Sequence, residues 1–171
     1  MPPSLKVGDT IPEGTFKYIP WSKALEDSLA CGTPVDLSTN EWKNKKVVLI
    51  SIPGAFTPTC HASHLPPFVQ KVGDFKKKGV DVVAVLAAND PYVMSGWGRV
   101  EGFKDNILAL SDTDAQWCKK VGLEMDLSSR GMGIRTSRFA IVLENNVVKY
   151  LGVESAPGVT VSGADEVLKN L

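Results

Sequence analysis

The stretch Ser51-Ile52-Pro53-Gly54-Ala55-Phe56-Thr57-Pro58-Thr59-Cys60 decides how the rest of the chain is read. An apolar, β-branched run, Val47 to Ile52, leads into it. Such a run suits a central strand covered on both faces. Phe68, Val69, Val72 and Phe75 lead out of it at helical spacing, which predicts a helix from about His61 to Lys78. Cys60 therefore stands where a buried strand passes into a helix. The first helical turn leaves backbone N–H groups without partners, and the helix dipole favours negative charge there. A thiol so placed is pushed towards thiolate, the form that acts as a nucleophile.

Working outward, Pro66-Pro67 falls inside the helical pattern and predicts a kink or break there. Gly79 ends the helix. Val80 to Ala87 is a second strong strand, so the segment reads strand, helix, strand, a right-handed unit with parallel strands. Asn89-Asp90-Pro91 opens a helix to about Val100, with Asp90 as N-cap and Pro91 in the first turn. Ile107 to Leu110 is a third apolar strand, and Asp112-Thr113-Asp114 cap a helix carrying Trp117 and Cys118. Ser128 to Gly133 reads as a flexible loop. Arg138 to Leu143 and Val147 to Val153 flank Asn145-Asn146, which predicts an antiparallel hairpin, and Ala164 to Leu171 reads as a terminal helix. Upstream, residues 1–14 form an irregular lead-in, with short strands at Thr15 to Ile19 and Val35 to Leu37. Between them Ala30-Cys31-Gly32-Thr33-Pro34 is a turn or loop, and Ser38 and Glu41 offer a capping box for a short helix ending near Lys45. The expected fold is α/β: one unit over 1–171, with helices on both faces of a central mixed sheet, in an order that fits a thioredoxin-like sandwich.

A chain of 171 residues can bury a sizeable core without disulfide staples. Its 19 basic and 19 acidic residues balance, and no basic stripe points to nucleic acid. No apolar run approaches the ~20 residues that span a bilayer. The start, Met1-Pro2-Pro3-Ser4-Leu5, lacks the charged and then apolar order of a secretory signal. The three cysteines, at 31, 60 and 118, are odd in number and far apart, unlike a secreted disulfide framework, a CxxC pair or a zinc ribbon. These features predict free thiols in a reducing compartment, with the cytoplasm favoured. The end, Lys169-Asn170-Leu171, is only a distant echo of the Ser-Lys-Leu peroxisomal address.

Around Cys60 the residue types are those a reactive thiol needs. The Thr57 hydroxyl lies three residues earlier and is placed to donate to a thiolate or to a substrate oxygen. Pro53 and Pro58 bracket a stiff loop, Pro53 shields the sulfur from water, and Gly54 lets backbone approach a ligand. His64 is four residues on, so on a regular helix it shares a face with Cys60. This leaves open a cysteine hydrolase using Cys60 with His64, although no third group to orient the histidine is identifiable. A non-enzymatic redox sensor and an inert buried cysteine are further alternatives. Cys60 and His64 supply only two of the ligands a metal needs, so no metal site is expected.

Pro53-Gly54-Ala55-Phe56-Thr57-Pro58-Thr59-Cys60, with His64-Leu65-Pro66 and Asn89-Asp90-Pro91-Tyr92-Val93-Met94, resembles the active-site segments of the peroxiredoxins, most of all the type-five subfamily and its fungal relatives. The likeness runs from Val7 to Leu171. It implies a thiol-dependent peroxidase acting on hydrogen peroxide and alkyl hydroperoxides, with no metal, haem or flavin. Cys60 would be the peroxidatic nucleophile, Thr57 would bind the thiolate and the peroxide oxygen, and Pro53 would shield them. Arg138, directly before the apolar strand, matches the family arginine that faces the sulfur, with Arg135 and Arg130 as competitors. His64 would order the active-site loop. Type-five members with an intramolecular mechanism carry a late resolving cysteine, which this chain lacks after Cys118. Cys31 matches Ala-Cys-Gly segments of fungal relatives, so the resemblance implies a disulfide between Cys31 of one subunit and Cys60 of the other. Cys118, beside Trp117, is expected to pack in the core. The expected partners are a second copy of the chain, joined through the Trp97-Gly98 region and the loop around Phe56, and thioredoxin or a glutathione/glutaredoxin system as reductant.

Overall fold

The computed structural model describes residues 4–171. Residues 1–3 of the expected lead-in lie outside the described residues.

Seven strands form the main sheet, in the order β2-β1-β5-β4-β3-β8-β9. They are β1 (Thr15–Tyr18), β2 (Val35–Ser38), β3 (Lys46–Ser51), β4 (Val82–Ala87), β5 (Leu108–Ser111), β8 (Phe139–Glu144) and β9 (Val147–Val153). β3, β4 and β5 run parallel, while β8, β9, β1 and β2 join as antiparallel neighbours. The sheet is therefore mixed, as the order of apolar runs predicts. β3 is buried on both faces by the period-two geometry of a strand. Val48 and Ile50 join one core with Phe68, Phe75, Trp97 and Phe103, while Val47 and Leu49 join another with Phe16, Trp42 and Trp117.

The helices are α1 (Leu65–Gln70), α2 (Val72–Lys77), α3 (Pro91–Glu101), α4 (Gln116–Lys120) and α5 (Ala164–Lys169). Asp90 caps α3, its side chain accepting from the Tyr92 and Val93 N–H groups at 2.8 and 3.0 Å. Gly102 closes it at φ 76°, a conformation that disfavours a Cβ. The Asn145-Asn146 turn has φ of 50° and 61°, the two left-handed residues that the twist of a tight hairpin demands.

Four local expectations shift. The short helix after Ser38 is a single 3-10 turn, Thr39–Trp42, although its capping box is present. The Asp112 side chain reaches past a strained turn, with Asp114 and Ala115 at positive φ, to accept from the Trp117 and Cys118 N–H groups at the start of α4. Ser128 to Gly133 is the tip of a second, two-stranded sheet made by β6 (Glu124–Asp126) and β7 (Ile134–Thr136) rather than a free loop. Finally, the helical segment breaks at Lys71 (φ −103°, ψ 11°), not at Pro66-Pro67. Both prolines sit in the first turn of α1, where a missing N–H costs least. The irregularity they impose lies ahead of them: Cys60–His64 wind as a π-turn, with the Leu65 N–H donating to the Cys60 carbonyl.

Candidate active site

Strand register brings the site together. Ser51 pairs with Phe139 across β3 and β8, so Arg138, one residue before β8, lies where the chain leaves β3 towards Cys60. Phe139 also pairs with Val153 across β8 and β9, which brings Glu154 to the same sheet end. Its N–H donates to the Arg138 carbonyl at 3.0 Å.

Cys60 is fully buried. Arg138 Nη2 donates to its Sγ at 3.2 Å, and Nη1 lies 2.9 Å from Nδ1 of His64. His64 Nε2 lies 2.9 Å from the Ser162 carbonyl oxygen. One tautomer satisfies both contacts: Nε2–H donates to Ser162, and Nδ1 accepts from the guanidinium. Burial above all lowers His64 from 6.5 to about 4; the Ser162 hydrogen bond opposes this shift and the neighbouring Arg138 charge adds to it. His64 is therefore neutral near pH 7. Neither ring nitrogen is left to take a proton from Cys60, which removes the Cys60–His64 hydrolase pair.

The loop before Cys60 is fixed from several sides. Arg135 Nη1 donates to the Pro53 carbonyl at 3.3 Å and its Nε to that of Met132 at 2.7 Å, while Asn89 Oδ1 accepts the Ala55 N–H at 2.9 Å. Thr136 Oγ1 donates to the Ile52 carbonyl at 2.7 Å. A Cβ at Gly54 would come within 3.1 Å of both Arg135 Nη1 and Thr57 Cγ2, so glycine permits this close approach. The Thr57 hydroxyl donates to the Gly54 carbonyl at 2.7 Å, a different partner from the expected sulfur. This leaves its oxygen lone pairs to accept. Behind the π-turn, His61 Nδ1 lies 3.1 Å from Trp97 Nε1 and next to the Glu101 carboxylate, tying the turn to α3.

Of the other thiols, Cys118 is buried and its N–H donates to Asp112. Burial first, then the Asp112 carboxylate, pushes this thiol well above its ordinary range. Cys31 is exposed. Its loop is anchored rather than loose, because Arg99 Nη1 of α3 donates to the carbonyls of Leu25, Asp27 and Ala30 at 3.0–3.3 Å. The three thiols are unlinked. Among the described residues, no group of three His, Cys, Asp or Glu side chains is placed to hold a metal ion, and no helix is long and apolar enough to cross a membrane.

A family model described as Redoxin matches residues 6–168. The chain is 45% identical over 172 residues to the peroxiredoxin Pen c 3 of Penicillium citrinum, covering 98% of this chain and 99% of that one. The chain belongs to the peroxiredoxin family. A Lipomyces kononenkoae relative whose name calls it a peroxisomal peroxiredoxin is 46% identical over 166 residues, covering 95% and 99% of the two chains. Reduced Prx3 of Vibrio vulnificus, solved with hydrogen peroxide, superposes with a TM-score of 0.85 at 37% identity, covering 96% of this chain and 98% of that one. This peroxiredoxin is thus a thiol-dependent peroxidase with the thioredoxin-like fold, and its likeness to fungal members agrees with the type-five reading of its loop. The comparisons lend no support to a hydrolase or to a non-enzymatic sensor.

Sequence reasoning named Cys60, Thr57, Pro53, Gly54, His64, Arg138 and Cys31; the first six lie at this sheet end, while Cys31 is on the exposed loop held by Arg99 of α3. It weighed Arg135 only as a rival to Arg138, quoted Asn89 within a matching segment without giving it a role, and passed over Thr136 and Glu154. Nothing in the local sequence gives them these roles, because Arg135 acts on Pro53, Asn89 on Ala55, Thr136 on Ile52 and Glu154 on Arg138, segments that only the fold brings together. The expected Trp97-Gly98 contact surface is also corrected: Trp97 is fully buried and Gly98 packs against Phe103, because this face of α3 covers the sheet. The outer side of α3 instead exposes Tyr92, Val93 and Val100, with Phe56 also exposed.

Proposed function

We propose that Cys60 is the peroxidatic nucleophile, and the observation that carries this is the Arg138 guanidinium 3.2 Å from its sulfur. The fixed cation offsets the charge of a thiolate and then that building on the peroxide oxygens. The thiolate attacks one oxygen of a hydroperoxide. An S–O bond forms, the O–O bond breaks, and its electron pair leaves on the alkoxide or hydroxide, which takes up a proton. The sulfur, oxidised by two electrons, becomes a sulfenic acid. Thr57, its own proton given to Gly54, accepts from the peroxide O–H, and Pro53 shields the reacting pair.

The sulfenic acid then condenses with Cys31 of the partner subunit, forming a disulfide and releasing water. Cys31 suits this role because it is the exposed thiol, whereas Cys118 is buried and held up in pKa. The buried Cys60 must emerge for this step, which requires the π-turn to part from its His61 contacts with α3. Phe56, Tyr92, Val93 and Val100 form the apolar face offered to a second copy. A thioredoxin or a glutathione/glutaredoxin system returns the disulfide to thiols by exchange. The cytoplasm is the proposed location; the peroxisome is the alternative, favoured by the name of the Lipomyces relative.

Intact masses without reductant, before and after an equimolar addition of tert-butyl hydroperoxide, test this reading. The expected product is a covalent dimer linked through Cys31 and Cys60, lost in Cys31→Ser and kept in Cys118→Ser. A dimer lost only in Cys118→Ser would overturn the resolving assignment. An unchanged mass from fully reduced protein would overturn the role of Cys60.

A further inference from the structure

We propose that Glu154 is a positioning residue for the reaction at Cys60, acting through Ser162 and His64 on the Arg138 guanidinium; this rests on the peroxidatic reading of Cys60 above. The residues form a closed ring of hydrogen bonds. Glu154 N–H donates to the Arg138 carbonyl, which fixes the end of β9 beside the start of β8. The Glu154 carboxylate gathers the returning loop. Oε1 accepts from Thr160 N at 2.6 Å, Ser162 N at 2.9 Å and Ser162 Oγ at 2.8 Å, and Oε2 accepts from Thr160 Oγ1 at 2.6 Å. The Ser162 carbonyl, on the residue so held, accepts from His64 Nε2–H. That bond selects the tautomer whose Nδ1 accepts from Arg138 Nη1, and Nη2 of the same guanidinium then faces Cys60 Sγ. The carboxylate has no contact with the sulfur. It sets where Ser162 presents its carbonyl, and a planar guanidinium with two partners has a fixed direction.

The carboxylate stays ionised across the working range. Burial works to raise it, and the hydrogen bonds from Thr160 and Ser162 outweigh burial and lower it to about 2. The loop also has an independent anchor, since Tyr150 Oη donates to the Val161 carbonyl at 2.6 Å. Loss of the Glu154 side chain is therefore expected to misplace Ser162 rather than free the whole loop.

The test is the second-order rate of Cys60 oxidation by hydrogen peroxide in fully reduced protein, read by quenched mass spectrometry. Glu154→Ala should slow it about tenfold, the scale of losing a partner that orients an active group. Glu154→Gln keeps Oε1 for three of the four donors, and Thr160 Oγ1 can turn to accept from the new amide. It should stay within about threefold of wild type, since most of the network is intact. The decisive comparison is a cycle with His64→Ala: if Glu154 acts through His64, the double variant is no slower than His64→Ala alone. Should Glu154→Ala fail to fold, Glu154→Asp, one methylene shorter, carries the same cycle, with a smaller loss that His64→Ala again absorbs. A wild-type rate in Glu154→Ala, or losses that multiply in the double variant, would overturn the positioning role while leaving the peroxidase reading in place. An unreactive Cys60 in the wild type would overturn the peroxidatic reading and this proposal with it.

Discussion

Arg138 is the residue whose loss the geometry prices most directly. Replacing it with methionine keeps an unbranched stem and removes the charge. At the 3.2 Å separation from Cys60 Sγ, Coulomb's law with an effective dielectric near 20 gives about 5 kcal/mol between unit charges, an upper bound for a partly exposed guanidinium. A hydrogen bond to a charged group is worth about 1.5–3 kcal/mol net, which sets the lower and more relevant scale. At ~1.4 kcal/mol per factor of ten, Arg138→Met should lower the rate of Cys60 oxidation by about 10- to 100-fold. Arg138→Lys should fall between the two, because an ammonium is a point charge without the planar fork that meets His64 and Cys60 together. The assay is stopped-flow mixing of reduced protein with hydrogen peroxide, with rates referred to the folded fraction. A methionine variant within about threefold of wild type would refute the reasoning, since it would put the guanidinium's net contribution well below one charged hydrogen bond.

Two further outcomes follow from buried groups. His64 is held at about 4 when folded against 6.5 when exposed, so the unfolded chain binds more protons between these values. Its contribution is complete above pH 6.5 and is lost as the pH falls towards 4, by about 3 kcal/mol in all. Urea unfolding from pH 7 to pH 4 should show this slope, and His64→Gln should flatten it; an unchanged slope in the variant would rule His64 out as its source. Asp112→Ala leaves the N–H groups of Trp117 and Cys118 without their acceptor in a buried turn, at a cost of about 2–4 kcal/mol. A thermal midpoint indistinguishable from wild type would show that water replaces the carboxylate there.

The parts of this structure that were legible in the sequence are those whose cause is local. Val47 to Ile52 announces a strand buried on both faces because every position but Ser51 is apolar, and the two cores that share β3 divide its side chains by alternation. Asp90-Pro91 marks the start of α3 because the cap and the proline act within one turn. The β6–β7 ribbon escaped because its strands are three residues each and only Thr136 of the six is buried, so no apolar period announces them. The helix break was misplaced for a different reason. Prolines disturb the turn before them, and that turn, Cys60–His64, absorbs the disturbance by widening to a π-turn instead of breaking.

The same division runs through the site. Cys60, Thr57 and Pro53 are legible as a loop motif, and Arg138 only through the family resemblance, its place before an apolar strand separating it from Arg135 and Arg130. The surroundings of Arg138 are not legible, because its partners arrive from positions 64 and 154, and the His64–Ser162 contact behind them spans 98 residues. Only the register of two antiparallel pairings, Ser51 opposite Phe139 and Phe139 opposite Val153, converts those positions into one place. A slip of one residue in either pairing would turn the affected strand's side chains to the opposite face. The core residues of β8 enforce that register: Phe139, Ile141 and Leu143 fill one core while Ala140 and Val142 fill the other. The packing that stabilises the sheet is thus also what aims the guanidinium at the sulfur, so a volume change at Ala140 or Ile141 should reach the chemistry through register and not through contact.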